Sequence, residues 1–405
     1  MVSPEPSRLN FRVLWTGQLL AIAGLTVMVP FLPFYMEDLG VHGAEARLWS
    51  GLALAAPAVT LLVAAPLWGR LGDHVGRKWM MVRALAGLAL SLVLMGFAAT
   101  PLQFLLCRLF QGACGGVVDA AAAFASAEAP QGTRGRVLGG LQSATAVGSL
   151  SGPLLGGPLV DAWGLRPLLL ATGLLTGLSA LATLWLLRET RRTGPAGAPP
   201  PVLGALLGVL RHRQTRAFAL AGLCAQAGVY GLVTVFAPHV RALLAEPGQA
   251  ATWVGGLQAA TWAAGAVGAP WWGRRNDTGA VEPRFAVAAL GCAVGVALQG
   301  LSLPVGWLLP LRALQGFCFS ALAQSVLLRL GREVSAEHQG VQMGVANTFL
   351  TLGQIAGAAA GALLAGLLTP SWIFVLMAGC FVLAATLVWM VRTNPVPLKE
   401  GAVLS

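Results

Sequence analysis

The feature that most constrains this chain is a succession of long apolar segments that contain almost no charge. Of its 405 residues, 56% are hydrophobic and only 10% are charged, against about 25% charged residues in a typical soluble protein. A helix needs about 20 mostly apolar residues to cross the hydrocarbon core of a bilayer. Segments of that kind predict twelve transmembrane helices, at 11–33, 49–68, 79–99, 102–127, 137–160, 166–187, 217–238, 253–273, 286–303, 306–330, 341–368 and 371–391. The predicted fold class is an all-α membrane protein in a lipid bilayer.

The segment between the sixth and seventh predicted helices divides the chain into two equal sets of six. It is long, rich in proline and cationic, which is typical of a linker. We therefore predict an N-terminal bundle at 1–187, a cytoplasmic linker at 188–216 and a C-terminal bundle at 217–405. Within the linker, residues 202–211 have the pattern of a short amphipathic helix.

The positions of the cations predict the orientation in the membrane. With the N-terminus inside, the external segments hold only Arg47, Arg166 and Arg241 out of 26 Lys and Arg residues. Because Lys and Arg accumulate in cytoplasmic loops, we predict a multi-pass protein of the bacterial inner membrane with both termini in the cytoplasm. The net charge of +11 then follows from topology, and no nucleic-acid partner is expected.

The two halves carry copies of the same motifs. PLWGRLGD at 66–73 matches PWWGRRND at 270–277, and RLFQGAC at 108–114 matches RALQGFC at 312–318, both at a spacing of 204 residues. A spacing of six helices preserves the topology of each copy, so the halves are predicted to be parallel repeats. Parallel repeats of this kind enclose a cavity and rock about it to open on alternate sides of the membrane.

Three ordered motifs resemble those of the major facilitator superfamily. The loop motif G-x-L-x-D-x-x-G-R-K is matched by Gly69, Leu71, Asp73, Gly76, Arg77 and Lys78. The fourth-helix motif R-x-x-Q-G is matched by Arg108, Gln111 and Gly112. The fifth-helix motif is matched by Gly148, Gly152, Pro153, Gly156 and Gly157. The last motif is associated with the drug:proton antiporter branch, and the chain resembles its bacterial multidrug and siderophore exporters.

The loop between the second and third helices is the first candidate site. Glycines there allow tight turns and close approach of helices, and topology alone requires no acid, so Asp73 is the unexpected residue. The resemblance implies that Gly69, Asp73, Gly76, Arg77 and Lys78 form a latch between the two halves on the cytoplasmic side. The alternative is a solvated loop acid. Asp277 matches Asp73 in the second copy, which departs from the motif elsewhere.

The fourth helix carries the candidate proton-coupling residues, Arg108 and Asp119. In a continuous helix, eleven residues return to within about 20° of the starting direction, so both side chains are expected on one face. Charges inside a membrane span are costly and usually functional. We expect Asp119 to take up and release protons. Arg108 is expected to favour the ionised form of Asp119 or to bind hydrogen-bond acceptors of the substrate. The alternative is a structural pair, and the second half has Ala323 in place of Asp119.

Glycines at four-residue spacing in the fifth helix let another helix pack closely, and Pro153 removes a backbone hydrogen bond. We predict that this motif forms a tight joint that seals the cavity, with Gly353, Gly357 and Gly361 as its pseudo-symmetric counterpart. Candidate substrate-cavity residues are the polar or aromatic ones within spans, although such residues also serve as interhelical contacts. They are Gln111, Gln226, Tyr230, Gln258, Trp262, Arg312, Gln315, Gln324 and Asn347, with Gln18, Thr26 and Gln354.

The predicted function is a proton-driven antiporter that exports small organic molecules, drugs or siderophores, as a monomer without cofactor or metal. One alternative is an uncoupled or importing facilitator of a sugar or metabolite. Another, from a different class, is a membrane sensor or an enzyme on a transporter frame. The sequence has no phosphate-binding G-x-x-x-x-G-K-[ST] motif and no paired carboxylates or metal-ligand spacing, which disfavours an enzyme.

Overall fold

The computed structural model describes residues 8–129, 133–189, 202–277, 279–331 and 339–391, and no β-strand occurs among them. Ten helical segments in these ranges are long and apolar enough to cross a bilayer. Two further helices, Arg134–Trp163 and Ala250–Asp277, are equally long and complete the set of twelve. Their glycines and polar residues lower the mean hydropathy without shortening the helix. The predicted all-α membrane fold is confirmed.

The helices are numbered 1 to 12 along the chain. The first half holds helix 1 (Arg8–Met28), helix 2 (Gly43–Val75), helix 3 (Arg77–Gly96), helix 4 (Pro101–Ala113 and Val117–Glu128), helix 5 (Arg134–Trp163) and helix 6 (Leu165–Leu186). The second half holds helix 7 (Arg213–Leu243), helix 8 (Ala250–Asp277), helix 9 (Val281–Gln299), helix 10 (Leu308–Gly331), helix 11 (Gln339–Leu364) and helix 12 (Pro370–Trp389). Helix 1 continues through a 3₁₀ turn, Val29–Phe31, into Leu32–Asp38, and a connecting helix, Val202–Arg211, precedes helix 7. The connecting helix coincides with the predicted amphipathic segment.

The repeat detected in the sequence is reproduced by an equivalent tryptophan contact in each half of the structure. The indole nitrogen of Trp68 donates to the carbonyl of Ala113 at 2.6 Å, and that of Trp272 donates to the carbonyl of Phe317 at 3.0 Å. Both members of the second pair lie 204 residues after those of the first. The same tryptophan therefore joins helix 2 to helix 4 and helix 8 to helix 10, as expected for two copies of one bundle.

Helix 5 packs against helix 1 along the glycines of the predicted motif. A Cβ atom at Gly148 would lie 2.8 Å from the carbonyl oxygen of Leu19, and one at Gly152 would lie 2.7 Å from that of Ala23. Any larger residue would push the two backbones apart, because side chains essentially never approach a carbonyl so closely. The four-residue spacing thus brings two helices into direct backbone contact.

Helix 11 uses its glycines in the same way against helix 7. A Cβ atom at Gly353 would lie 2.3 Å from the carbonyl oxygen of Leu223, and one at Gly357 would lie 2.3 Å from that of Ala227. Leu223 and Ala227 are the counterparts of Leu19 and Ala23 at a spacing of 204. The predicted counterpart surface therefore exists, although it lacks the Gly-Pro pair of helix 5.

Pro153 and Gly157 of the helix-5 motif contact the other half of the protein. A Cβ atom at Gly157 would lie 2.6 Å from the carbonyl oxygen of Ala251 on helix 8, and one at Gly255 would lie 2.2 Å from that of Pro153. Helix 5 is thus in close contact with helix 1 on one side and with helix 8 on the other.

Polar contacts between the halves gather at one end of the bundle, which we call the Glu37 end; the opposite end, with the connection between helices 2 and 3, is the Arg77 end. The two carboxylate oxygens of Glu37 accept from Arg241 at 2.6 and 2.8 Å. Arg47 donates to the carbonyl of Ala365 at 2.7 Å. Asp161 at the end of helix 5 also accepts from the backbone nitrogens of Ala251 and Thr252 at 3.0 and 2.7 Å. These contacts join the two halves, so the structure is closed at the Glu37 end.

The Glu37–Arg241 ion pair occupies a special position in the repeat. The two residues are separated by 204 positions and are therefore equivalent to each other. Equivalent residues can meet only near the axis that relates the two halves. The repeat places a carboxylate in one copy and a guanidinium in the other, and this difference converts a symmetric contact into an attractive one.

A first prediction concerns the joint between helices 1 and 5. Replacing Gly152 by alanine would place a Cβ 2.4 Å from the hydroxyl oxygen of Thr26, and overpacking of this kind costs about 1–3 kcal/mol. We expect Gly152→Ala to lower the midpoint of thermal unfolding in detergent. Gly139→Ala, in the same helix but with open space around it, is the matched control and should not destabilise. Equal shifts for both variants would contradict the packing role.

A second prediction concerns closure at the Glu37 end. Removing the charge with Glu37→Gln should populate states in which this end is open, because the charge-assisted pair with Arg241 is lost. The measurement is the distance distribution between spin labels at the exposed positions His42 and Gln249, in a background without the six native cysteines. A longer component is expected for Glu37→Gln and not for the control Glu45→Gln, whose carboxylate accepts from Trp49 of its own helix and has no other hydrogen bond within the part of the chain that the structure describes. Identical distributions for all three proteins would refute the role.

Candidate functional site

A cavity of about 140 Å³ lies where helices 1, 7, 8 and 10 meet, and we call it the central cavity. Both halves contribute to its wall. The lining residues are Thr26, Val29, Pro30, Val229, Tyr230, Leu232, Val233, Phe236, Gln258, Thr261, Trp262, Arg312, Gln315 and Phe319. Its wall is mainly apolar with a few converging polar groups, as in many binding sites for small molecules.

Arg312 is the charged residue of the central cavity. Its side chain on helix 10 is only 6% exposed. One terminal nitrogen donates to the amide oxygen of Gln315 at 3.1 Å, the other donates to that of Gln258 at 3.0 Å, and the guanidinium carbon lies 3.7 Å from the ring centre of Phe236. Nε is buried without a hydrogen-bond partner. All of these partners are neutral, so the charge of Arg312 is uncompensated by the described residues.

Tyr230 and Trp262 supply further donors to the same cavity. Within the described part of the chain, neither the Tyr230 hydroxyl nor the Trp262 indole nitrogen takes part in a hydrogen bond, and Trp262 is 42% exposed. Both groups are therefore available to a bound molecule.

The structure brings together five of the nine predicted cavity residues, and Thr26 with them. These five are Tyr230, Gln258, Trp262, Arg312 and Gln315. The other four do not line the central cavity. Gln111 is buried beside Arg108, Gln226 is buried behind Gly353, Gln324 donates to the carbonyl of Ala269 at 3.4 Å, and Asn347 is exposed on helix 11. Only Gln324 takes the alternative role of a polar contact between helices.

Arg108, the counterpart of Arg312 in the first half, has a different environment. Its Nε donates to the carbonyl of Ala53 at 2.7 Å, and a terminal nitrogen donates to the side-chain oxygen of Gln111 and lies 3.7 Å from the sulfur of Met28. It is 4% exposed and does not line the central cavity. The helix-4 arginine is thus held by protein groups at the position where Arg312 has a free donor.

The prediction that Arg108 and Asp119 share one face of a continuous helix is wrong. Helix 4 ends at Ala113 and begins again at Val117, and the intervening Gly116 has φ +99°, a conformation open to glycine and costly for other residues. Arg83 donates to the carbonyls of Cys114 and Gly115 at 3.3 and 3.1 Å. These bonds satisfy backbone groups that the break frees, as a break within a membrane span requires.

Asp119 consequently lines a second cavity, of about 260 Å³, which we call the Arg77-end cavity. Helices 2, 3 and 4 form its wall, which includes Trp68, Arg77, Arg83 and Gly116. The guanidinium of Arg83 lies 3.8 Å from the ring centre of Trp68. The acid predicted to couple protons is therefore exposed in a cavity near the Arg77 end whose wall also includes two cations, apart from the residues of the central cavity.

The predicted latch is described in part. Gly76 has φ +105° and forms the turn between helices 2 and 3. Gly69 lies within helix 2 with open space around it, so the expected turn or close approach is absent at this glycine. The side chains of Asp73 and Asp277 lie outside the described set. Arg77 donates to the carbonyl of Ala123 at 2.8 Å and so ties helix 3 to the second segment of helix 4.

Sequence reasoning missed Glu189, which follows helix 6. Its carboxylate accepts from the backbone nitrogen of Arg77 at 2.9 Å and of Lys78 at 3.4 Å. An acid at a helix N-terminus is stabilised by the free N–H groups and the helix dipole. The available signal was an isolated acid in a cationic segment, but nothing in the sequence identified helix 3 as its partner.

This architecture, with two repeated six-helix bundles around a central cavity, defines the chain as a multi-pass membrane transporter. The profile of the Major Facilitator Superfamily matches residues 14–298 and 218–403, and the chain belongs to that family. Members of the family are transporters and not enzymes.

Among curated proteins, the chain is similar to the Staphyloferrin B transporter of Staphylococcus aureus, with 40% identity over 389 residues that cover 95% of this chain and 93% of the relative. It is also similar to Multidrug resistance protein MdtG of Rahnella and of Proteus mirabilis, with 39% and 38% identity. Those matches cover less than half of each chain: 46% of both in Rahnella, and 44% of this chain and 45% of the relative in Proteus.

Solved structures of transporters share the fold. A nucleoside transporter, NupG, superposes with a TM-score of 0.74 at 14% identity, covering 94% of this chain and all of that chain. An inward-facing bacterial homolog of the lysosomal transporter Spinster superposes with a TM-score of 0.72 at 14% identity, covering 98% and 100%. At these identities the likeness concerns the fold alone.

A third prediction tests the break in helix 4. At Gly116, alanine would have to adopt a positive φ, which costs about 1–2 kcal/mol, whereas asparagine tolerates that conformation better. We expect Gly116→Ala to lower the midpoint of thermal unfolding and Gly116→Asn to lower it less. Gly177→Ala, where the nearest atom would lie at an ordinary 3.7 Å, is the control. A neutral Gly116→Ala variant would mean that helix 4 is continuous.

Proposed function

We propose that the chain is a proton-coupled antiporter that exports a small organic molecule across the bacterial inner membrane, with the Arg77 end and both termini in the cytoplasm. The observation that carries this proposal is the 40% identity with the Staphyloferrin B transporter over 95% of the chain. The matches to MdtG span less than half of the chain. A siderophore is therefore favoured over a drug as cargo.

The orientation is supported by the distribution of charge. Arg70, Arg77, Lys78 and Arg83 surround the connection between helices 2 and 3, and cations accumulate at cytoplasmic ends of spans. In that orientation the closed Glu37 end faces outward, and we propose that cargo reaches the central cavity from the cytoplasm. An exporter must load its cargo in such a state before the two halves rock to open the other side.

For proton coupling we propose Asp119 as the titrating group. It is exposed to the Arg77-end cavity, whose wall also includes Arg77 and Arg83, so we propose that its protonation alters the charge of that cavity. Arg77 holds the second segment of helix 4 through Ala123, and that segment carries Asp119. Arg108 lies beyond the break in helix 4 and is held by Ala53 and Gln111, so we propose a structural role for it and no part in proton coupling. The latch residues themselves, with Asp73, are proposed to close the Arg77 end when the Glu37 end opens.

A fourth prediction tests this function in proteoliposomes of the purified full chain with an imposed pH gradient. Staphyloferrin B and ethidium are the two probes. We expect staphyloferrin B to be moved uphill from the Arg77 side against protons moving the other way. Asp119→Asn should abolish uphill accumulation while it keeps exchange at equal concentrations, and the exposed loop variant Glu246→Gln should behave like the wild type.

Three outcomes would contradict the proposal. Transport that is insensitive to the pH gradient would exclude proton coupling and favour a facilitator. Uphill transport by Asp119→Asn at the wild-type rate would exclude Asp119 as the coupling group. Ethidium export without staphyloferrin export would exclude the siderophore as the favoured cargo.

A further inference from the structure

We propose that the central cavity selects molecules that carry carboxylate groups, and that Arg312 is the residue that binds the carboxylate. This inference rests on the proposed function, since it names the chemical class of the cargo. It concerns a cavity whose polar groups come from helices 7, 8 and 10.

The charge of Arg312 is the first step of the argument. Its guanidinium is buried between helices, and no carboxylate in the described ranges lies within ion-pair distance; the ion pairs found there join Arg241 to Glu37 and Arg329 to Glu282. A buried cation without a partner is costly in a membrane span. The two glutamine oxygens and the Phe236 ring compensate only part of that cost. An anionic cargo supplies the missing counter-charge.

The hydrogen-bonding capacity of the cavity is the second step. A guanidinium has five N–H donors in one plane. Arg312 uses one N–H of each terminal nitrogen for Gln315 and Gln258, which leaves the second N–H of each for a bound molecule, whereas Nε is enclosed by protein atoms. Tyr230 and Trp262 line the same cavity with further donors. Arginine binds carboxylates through two parallel bonds. The cavity therefore offers donors and positive charge, and its described lining includes no acid, which disfavours cationic drugs.

The comparison of the two repeats is the third step. Arg108 occupies the equivalent position, is equally buried and also contacts a glutamine three residues later. However, its Nε is used by the carbonyl of Ala53, and it lies outside the central cavity. If both arginines have a purely structural role, replacing either one should change the affinity for citrate equally. If Arg312 alone binds the carboxylate, only its replacement should lower the affinity, and the Arg108 variant serves as the control.

The fifth prediction uses citrate as the probe, with its neutral trimethyl ester as the matched compound, titrated calorimetrically into the full-length protein in detergent. We expect citrate to bind and the ester to bind at least tenfold more weakly. Arg312→Gln should weaken citrate binding tenfold or more, because the charge and the bidentate geometry are both lost. Arg312→Lys, which keeps the charge, should retain part of the affinity. Arg108→Gln should leave the affinity within threefold, and unfolding curves identify any variant that fails to fold.

Equal binding of citrate and its ester, no binding of citrate, or equal losses in Arg312→Gln and Arg108→Gln would each overturn the inference. The vesicle experiment separates this failure from failure of the proposed function. If the protein exports ethidium under a pH gradient but does not bind citrate, the proposed export function is supported and the carboxylate site is refuted. If citrate binds through Arg312 but neither staphyloferrin B nor ethidium is transported in either direction, the carboxylate site is supported and the proposed export function is refuted.

Discussion

The burial of a guanidinium group at the centre of the helix bundle is the constraint on which the rest of the structure depends. Arg312 is almost completely enclosed, and in this setting a charge needs either a counter-ion or several strong hydrogen bonds. The protein supplies two amide oxygens and an aromatic face. Gln299 on helix 9 in turn donates to Gln315 at 3.0 Å and fixes it. The site is therefore rigid on the protein side and electrostatically incomplete on the cavity side.

The internal repeat sets the helix arrangement around this site, and residues that differ between the two copies determine its charge and hydrogen-bonding groups. Tyr35 donates to the carbonyl of Met95 at 2.9 Å, and His239 contacts the carbonyl of Gln299 at the same distance in the second copy. Such equivalent contacts keep the two bundles alike. By contrast, helix 4 is broken at Gly116 whereas helix 10 is continuous. One half therefore carries Asp119 and the proposed latch, while the other carries the charged wall of the cavity.

The sequence was sufficient for the fold because apolar length and a repeated motif report on the number and order of the helices, while the orientation inferred from the cations stays a prediction. It also placed Tyr230, Gln258 and Arg312 in one site, since inward-facing polar residues of a bundle converge. It failed for Asp119, because the spacing argument assumes an unbroken helix, and the Cys-Gly-Gly break depends on Arg83 reaching across from helix 3. Glu189 was missed for a similar reason. Contacts between segments distant in sequence have no signature in either segment alone.

The most direct test of the account is an experimental structure of the full chain with citrate. The account predicts density for a carboxylate in the central cavity within hydrogen-bond distance, about 3 Å, of the guanidinium of Arg312, while the guanidinium of Arg108 keeps its bond to the carbonyl of Ala53. Citrate bound elsewhere, or an Arg312 whose only partners remain Gln258 and Gln315 at saturating citrate, would contradict it.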